Sequence, residues 1–371
     1  MTILCAGALA PALSSDFDAS APSAARPGLA APVSEASPCP AFLRFLGKAD
    51  RPITTQVEPL PGEPVSLESG EESWLRQTFS IAAGHTAAAA EALSLGATPG
   101  ALVVRPVHLH AGRDHLVLSA PQRLELSEGE SQTLFEAAVQ WLAEEPITLR
   151  YLSPDLWEWV ETDPKATRLG QLQVASSSRA TGRNIDIWLP RGPTARTWRR
   201  LANEVQMLWH THPVNQDREH AGRFTANSVW LEGAVPSGLA QAFERVISDH
   251  SMVSGLAQAS GATLARFAAW SPPKEPPAER WLIDVPFWRD HDTSSDPAAW
   301  GGGWLAFEAW FCDMTRAFGT NWLRQAEFVL TGESYHRRFA MRGSTFGRFW
   351  RFWRGSAAVS ALHEDAMQHS S

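Results

Sequence analysis

Side chains that could recognise an anion or a metal ion are concentrated between residues 203 and 238 of this 371-residue chain. They are imidazole rings, guanidinium groups and carboxamides, all of which can donate hydrogen bonds to carboxylates and phosphates, and imidazole also binds metals. They include, in chain order, His210, His212, Asn215, Arg218, His220, Arg223 and Asn227. This segment is therefore the first candidate for a binding site.

The candidate ligand-binding residues within it are His212, Asn215, Arg218 and Asn227. Arginine offers a planar fork that matches a carboxylate or phosphate, and the two asparagines could fix its orientation. Asparagine side chains also tie loops to the backbone, so a structural role for Asn215 and Asn227 stands beside the ligand-binding one. The i,i+2 spacing of His210 and His212 puts their rings on different faces, which disfavours a shared metal ion.

A helix and a polar loop should position these side chains. The spacing of Leu201, Val205 and Leu208 predicts a helix over residues 194–208, and Pro213 predicts that it ends there, because proline disfavours helical geometry in the residue before it. The residues after Pro213 are predicted to form a loop. Helix, loop and buried strand in succession is how α/β proteins present side chains to a ligand.

Other segments alternate between helical and strand patterns. Short β-branched and aromatic runs predict strands at 184–189 and 227–231, and helical spacing predicts a helix at 238–250. The capping box Ser127-Glu-Gly-Glu130 predicts the start of another helix. Residues 10–38 are rich in Pro, Ala and Ser and read as a long surface loop. The alternation favours an α/β layered fold.

The composition excludes a general polyanion binder. The formal net charge is −8 and 44% of the residues are hydrophobic, whereas proteins that bind nucleic acids usually carry a basic field. The Arg- and Trp-rich stretch 348–354 is a local exception. Docking of its aromatic rings explains this stretch better than nucleic-acid or membrane-surface binding, because no other basic cluster accompanies it.

The sequence also bears on location. No apolar run reaches the roughly 18 residues of a membrane span, and no Lys or Arg precedes the apolar N-terminal stretch, which argues against a secretory signal. Cys5, Cys39 and Cys312 are odd in number and lack CxxC spacing, so they predict neither a disulfide framework nor a structural zinc site. We expect a cytoplasmic protein without a membrane span.

The segment HPVNQDREHAGRFTANSVWLEG resembles the His-Pro-Val-Asn, Arg, Gly, Ala-Asn, Trp, Gly pattern of archaeal-type cofactor-independent phosphoglycerate mutases, which belong to the alkaline phosphatase superfamily. It is more similar still to a bacterial family described as a regulator-of-pathogenicity-factors type, in which Asn-Glu-Val-Gln-Met precedes the same motif. The specific part of the match covers residues 182–236, and weaker colinear similarity extends to either side.

This resemblance implies an alkaline-phosphatase-like core sheet flanked by helices, with an inserted smaller α/β domain. Residues 1–100 would form the first part of the core. Residues 101–270 would form the inserted domain with the HPVN motif, and residues 271–371 would return to the core and end in the Trp- and Arg-rich region.

The same resemblance exposes departures at the family's catalytic positions. Catalysis there requires two divalent metals held by Asp and His, and a Ser or Thr that accepts the phosphoryl group. Ala6-Gly7 stands where Asp-Gly is expected, and Thr86, near the nucleophile position, is followed by four alanines. Part of the late metal motif is matched by Asp290, His291, Asp292 and Asp296. The two-metal site is therefore incomplete.

Two functions remain as expectations. The first is a non-catalytic relative with a regulatory or binding role, which uses an anion-binding cleft for a small phosphorylated or carboxylate ligand, or contacts a protein partner, and needs no cofactor. The alternative is an active phosphoglycerate mutase or phosphatase that uses Mn or Zn, with His291 and its acidic neighbours among the metal ligands.

Overall fold

The computed structural model describes residues 1–9, 39–59, 61, 63–163, 169–273, 277–289 and 297–340. The chain forms two compact units. Unit 1 comprises Met1–Val57, Phe243–His250 and Ala262–Ser371, and unit 2 comprises Glu58–Ala242 and Ser251–Gly261. The division at residues 100 and 270, which the resemblance implies, stays a prediction.

The strands, in chain order, are β1 (Thr2–Cys5), β2 (Ile53–Gln56), β3 (Leu102–Val107), β4 (Leu109–Ala111), β5 (Leu116–Leu118), β6 (Ile147–Ser153), β7 (Leu156–Glu161), β8 (Ser228–Ala234), β9 (Arg245–Ile247), β10 (Thr263–Ala265), β11 (Trp281–Asp284), β12 (Glu327–Thr331) and β13 (Tyr335–Ala340). The α-helices are α1 (Pro40–Lys48), α2 (Gly70–Phe79), α3 (Glu128–Trp141), α4 (Ser177–Ala180), α5 (Ala195–His210), α6 (Pro213–His220), α7 (Ser251–Ala259) and α8 (Pro297–Phe318). Short 3-10 helices cover Ala88–Leu95, Pro121–Arg123, Leu169–Gln171, Ile185–Ile187 and Thr320–Arg324.

Unit 1 is built on a seven-stranded sheet in the order β10-β9-β11-β1-β12-β13-β2. The first five strands of that order run parallel, and β13 pairs antiparallel with both β12 and β2. Strand β1 lies between β11 and β12, and its residues Ile3 and Leu4 are fully buried. Continuous apolar strands of this kind are expected where a parallel sheet is covered on both faces.

Helices α1 and α8 pack together in the core of unit 1. The ring of Phe42 contacts those of Phe307 and Phe328 edge-on, at centroid distances of 4.9 and 5.2 Å. The carboxylate of Glu308 in α8 accepts hydrogen bonds from the backbone N–H groups of Ala41 and Phe42, at 2.6 and 3.2 Å. Because the first N–H groups of a helix lack partners within it, α8 completes the start of α1.

Unit 2 contains an antiparallel four-stranded sheet in the order β6-β7-β3-β8, together with the β4–β5 hairpin. Helices α3 and α5 bury their apolar faces in the same core as the tryptophans of β7. Trp157 of β7 and Trp209 of α5 meet edge-on at 5.6 Å. The capping box of Ser127 and Glu130 at the start of α3 is confirmed.

The predicted α/β class is confirmed by the large sheet of unit 1 and its helices. One predicted strand and one predicted helix were wrong. Residues 184–189 form a 3-10 turn, because the Asn184 side chain accepts a hydrogen bond from the Asp186 N–H and so favours a turn over a strand. Residues 245–247 form β9 inside the predicted helix 238–250, since short buried apolar runs do not distinguish strand from helix.

Candidate functional site

The HPVN segment forms a helix, which corrects the predicted loop. Helix α5 ends at His210, and α6 begins at Pro213 after His212. The Nδ1 atom of His212 accepts a hydrogen bond from the Val214 N–H at 3.3 Å and so caps α6. Proline fits the first turn of a helix, where its missing N–H has no partner to lose. A new helix therefore starts where the sequence pattern suggested only an end.

Asn215 and Asn227 both bind backbone groups. The buried Asn215 amide donates to the carbonyls of Trp209 and Ala226, at 2.9 and 2.7 Å, and its oxygen accepts from the Ala226 N–H at 3.0 Å. Asn227 donates to the Leu109 carbonyl and accepts from the Leu109 N–H, both at 2.7 Å. These contacts fix the segment that leads into β8.

Arg218 is only 1% exposed. Its Nε donates to the Phe224 carbonyl at 2.7 Å, and its Nη1 donates to the Glu130 carboxylate at 2.9 Å. Its Nη2 donates to the Leu124 carbonyl. Most of the five N–H donors of the guanidinium are therefore directed to protein acceptors.

The four candidate residues thus lie in one region of unit 2, and their described contacts are those expected of the structural role. An anion site on His212, Asn215, Arg218 and Asn227 stays a prediction. The neighbouring surface is more open: a depression of about 300 Å³ adjoins Arg218. It is lined by Arg123, Leu124, Glu125, Arg218, Gly222, Arg223 and Phe224.

Sequence reasoning missed a second group of polar residues, in unit 1 at the carboxyl ends of parallel strands. Asp284 ends β11 and is buried, and Ser248 follows β9. One Asp284 oxygen accepts hydrogen bonds from Nε and Nη2 of Arg289, at 3.1 and 2.6 Å. The other accepts from the Ser248 hydroxyl at 2.6 Å. An acidic residue directly after a buried apolar strand was the sequence signal that could have revealed this group.

Burial governs the titration of this group. It raises the pKa of Asp284, although the Arg289 charge and the Ser248 hydrogen bond act in the opposite direction. Burial also raises the pKa of the Cys5 thiol, and the nearby Asp284 carboxylate adds to that effect. Cys5 is therefore a protonated thiol at neutral pH, and reactive cysteines are usually thiolates.

The described residues at these strand ends do not fit a divalent metal ion. Both Asp284 oxygens are hydrogen-bonded, and the Arg289 cation stands beside them. At the end of β1, the Gly7 N–H donates to the Thr331 hydroxyl at 3.1 Å. Within the described ranges, no cluster of three or more His, Cys, Asp or Glu could hold a metal. Residues 290–296, with the acidic motif around His291, lie outside those ranges.

Thr86, the residue near the family's nucleophile position, is held by unit 2. Its hydroxyl donates to the Glu232 carbonyl at 2.8 Å and accepts from the Ala89 N–H at 3.3 Å. A Cβ at Gly233 would lie 2.4 Å from the Thr86 hydroxyl oxygen, so glycine permits this close approach. The hydroxyl therefore links the start of a 3-10 helix to β8.

His250 provides a pH-dependent element next to Arg289. Part of the residue is exposed, but its Nδ1 is buried and has no hydrogen-bond partner among the described residues. Burial lowers the pKa of His250 well below its usual value, and the charge of Arg289 lowers it further. Below about pH 6.5 the unfolded chain binds a proton at this histidine and the folded chain does not, so the free energy of unfolding should fall as the pH falls.

We expect His250→Phe to remove this dependence. The slope of unfolding free energy against pH between pH 6.5 and 5.5 should flatten by up to about 1.4 kcal/mol per pH unit, the value for one proton. Urea unfolding of both proteins at closely spaced pH values measures the slope. Identical slopes would contradict the assigned shift.

No protein-family model and no curated protein matches the chain. Among solved structures, the chain is similar to the PH0037 protein from Pyrococcus horikoshii, with 13% identity, a TM-score of 0.49, and coverage of 100% of this chain and 97% of that one. It is also similar to the cofactor-independent phosphoglycerate mutase from Thermoplasma acidophilum, with 13% identity, a TM-score of 0.36, and coverage of 93% and 90%. No helix of the described residues has the length and apolar character needed to span a membrane.

Proposed function

We propose that this protein is a non-catalytic relative of the cofactor-independent phosphoglycerate mutases, with a regulatory or binding role. The proposed relationship rests on the motif resemblance over residues 182–236. We also propose that the core has an alkaline-phosphatase-like fold and that the chain is of the bacterial regulator-of-pathogenicity-factors type. The proposed ligand is a small phosphorylated or carboxylate molecule. A protein is proposed as a second type of binding partner. Cys5, Cys39 and Cys312 form no disulfide within the described ranges, which supports the proposal of a cytoplasmic location.

The observation that carries the proposal is the Asp284–Arg289 pair. Arg289 and Asp284 have side chains that are 8% and 1% exposed, so the pair is almost completely enclosed. A carboxylate in a metal site directs its oxygens at the cation, whereas here a guanidinium and a hydroxyl take both oxygens. Two-metal phosphoryl transfer needs cations that stabilise the attacking and leaving oxygens, and this arrangement supplies a fixed ion pair instead.

Turnover measurements test the proposal directly. We expect the full chain to hydrolyse or isomerise neither 2- nor 3-phosphoglycerate, and not to hydrolyse 4-nitrophenyl phosphate, above the buffer rate, with Mn²⁺ or Zn²⁺ added. Equilibrium dialysis should detect no tight binding of Mn²⁺. A catalytically competent phosphoglycerate mutase assayed in parallel serves as the positive control.

The opposite result has a clear form. Metal-dependent turnover that is lost in His291→Ala would support the active mutase or phosphatase and overturn the proposal. Turnover unchanged by His291→Ala, but lost in Asp284→Asn, would overturn it as well, since Asp284 would then be serving the reaction instead of pairing with Arg289.

A further inference from the structure

The depression beside Arg218 is a preformed concavity of unit 2. It lies between the 3-10 turn Pro121–Arg123 and the segment that follows α6. Arg218 connects the two segments that line the depression, because its guanidinium donates to the Leu124 carbonyl on one side and to the Phe224 carbonyl on the other. Glu125, next to Leu124, has a φ of +47°, which is uncommon for a residue other than glycine. The buried arginine thus stabilises an unusual turn at the rim of the depression.

Positive charge exceeds negative charge around this depression. Its lining contains three arginines and one carboxylate, that of Glu125. Glu130, which lies beside it, binds Arg218 through Oε2 and Arg223 through Oε1, both at 2.9 Å. One carboxylate therefore serves two guanidinium groups. The excess stands out in a chain whose formal net charge is −8.

Glu130 is itself committed to the protein. Its Oε2 also accepts hydrogen bonds from the backbone N–H and the hydroxyl of Ser127, both at 2.9 Å. Burial opposes ionisation of this residue, but the Ser127 hydrogen bonds and Arg218 outweigh it and lower the pKa of Glu130. The carboxylate is thus ionised at neutral pH and fixed as the cap of α3. It is not free to follow Arg223 if that side chain moves toward a ligand.

Arg123 supplies the uncompensated charge. Within the described residues it forms no ion pair, and its guanidinium carbon lies 5.7 Å from the centre of the Phe224 ring. The other aromatic contact of Phe224 is a stack with His108 at 4.7 Å. Arg223 is 47% exposed in its side chain. Two accessible guanidinium groups and an aromatic ring therefore line one small concavity.

We propose that this depression binds a small organic anion, with Arg123 and Arg223 contacting its phosphate or carboxylate group and Phe224 packing against its carbon skeleton. This rests on the proposed binding role and assigns that role to residues other than the HPVN asparagines. An arginine fork can donate two parallel hydrogen bonds to two oxygens of a phosphate or carboxylate group, and a volume of about 300 Å³ suits a small metabolite. Arg218 acts as the positioning residue, because it sets the walls without offering an accessible donor.

Isothermal titration of the full chain with inorganic phosphate, 3-phosphoglycerate and succinate at low ionic strength tests the inference. We expect saturable binding of at least one of them, weakened about tenfold or more in Arg123→Ala and in Arg223→Ala, the effect of losing one charged hydrogen bond. Arg196→Ala is the matched control. That arginine is also exposed and has no ion pair within the described part of the chain, and it lines a separate depression on α5.

The three probes separate the ligand classes. Binding of phosphate and 3-phosphoglycerate without succinate would identify a phosphorylated ligand, and binding of succinate alone would identify a carboxylate. Absence of binding by all three, or equal affinity in wild type and both variants, overturns the inference. Equal losses in Arg196→Ala would also overturn it, because they would show a general charge effect. None of these outcomes depends on turnover, so the inference and the proposed absence of catalysis can fail separately.

Discussion

Arg218→Ala should lower the free energy of unfolding by about 3–5 kcal/mol, the range for removing one partner of a buried ion pair. The substitution removes the donors that satisfy the carbonyls of Leu124 and Phe224 and leaves Glu130 without its inner partner. These carbonyls belong to the two segments that flank the depression beside Arg218. The substitution therefore also removes the hydrogen bonds that connect those segments. Urea-induced unfolding followed by tryptophan fluorescence measures the change.

Arg223→Ala is the matched control, because it removes an arginine from the same Glu130 carboxylate at the surface. Its side chain is 47% exposed, so we expect a loss of about 0–1 kcal/mol, as for other exposed ion pairs. A similar effect for the two variants would show that the buried contacts of Arg218 contribute no more than a surface pair. Arg218→Lys should recover little of the loss, because an ammonium group cannot reach three acceptors spread around a planar fork.

Gly255→Ala should be the most damaging single methyl addition in unit 2. Helix α7 lies so close to the 3-10 helix Ala88–Leu95 that a Cβ at Gly255 would stand 1.9 Å from the Ala90 carbonyl oxygen. The contacted atom belongs to the backbone, so it cannot rotate away as a flexible side chain could. We expect a loss of about 3 kcal/mol, at the upper end of typical overpacking costs, measured by urea unfolding.

Gly129→Ala makes the comparison specific. Gly129 lies in the first turn of α3, and a Cβ there would have no heavy atom within 4 Å. Alanine is the better helix former, so this variant should gain up to about 1 kcal/mol. If Gly255→Ala were as stable as the wild type, the close packing of α7 on the 3-10 helix would be refuted.

The sequence predicted elements where one local pattern decides the structure. Helix α5 follows from the spacing of its apolar residues, and α3 begins at its capping box. Helix α6 was missed because Pro213 can equally end one helix or begin the next. The α/β class was predictable from the alternation of patterns, but the order of the strands was not, because no local signal reports which strands pair.

The candidate sites were predicted less well, for a related reason. Arginine is usually exposed, and Arg218 is buried because acceptors distant in the chain lie against it, such as the Leu124 carbonyl 94 residues away. The Asp284 group depends on Ser248, which is 36 residues away in the chain. Residue type indicated that Arg218 could bind an anion, whereas its actual partners required the tertiary structure. The tertiary structure was also needed to show that the Arg123 guanidinium lies over the Phe224 ring and forms no ion pair with another described residue.

The position of β1 has a consequence for biosynthesis. This strand precedes both of its neighbours in the chain, β11 at residues 281–284 and β12 at residues 327–331. On the ribosome, residues 2–5 therefore remain unpaired until residue 284 has emerged, and β1 gains its second neighbour only at residue 331, while the chain of unit 2 is complete at residue 261. We infer that unit 2 folds during translation and unit 1 only near or after its end, and that nascent chains stopped before β11 expose an apolar strand to chaperones and proteases.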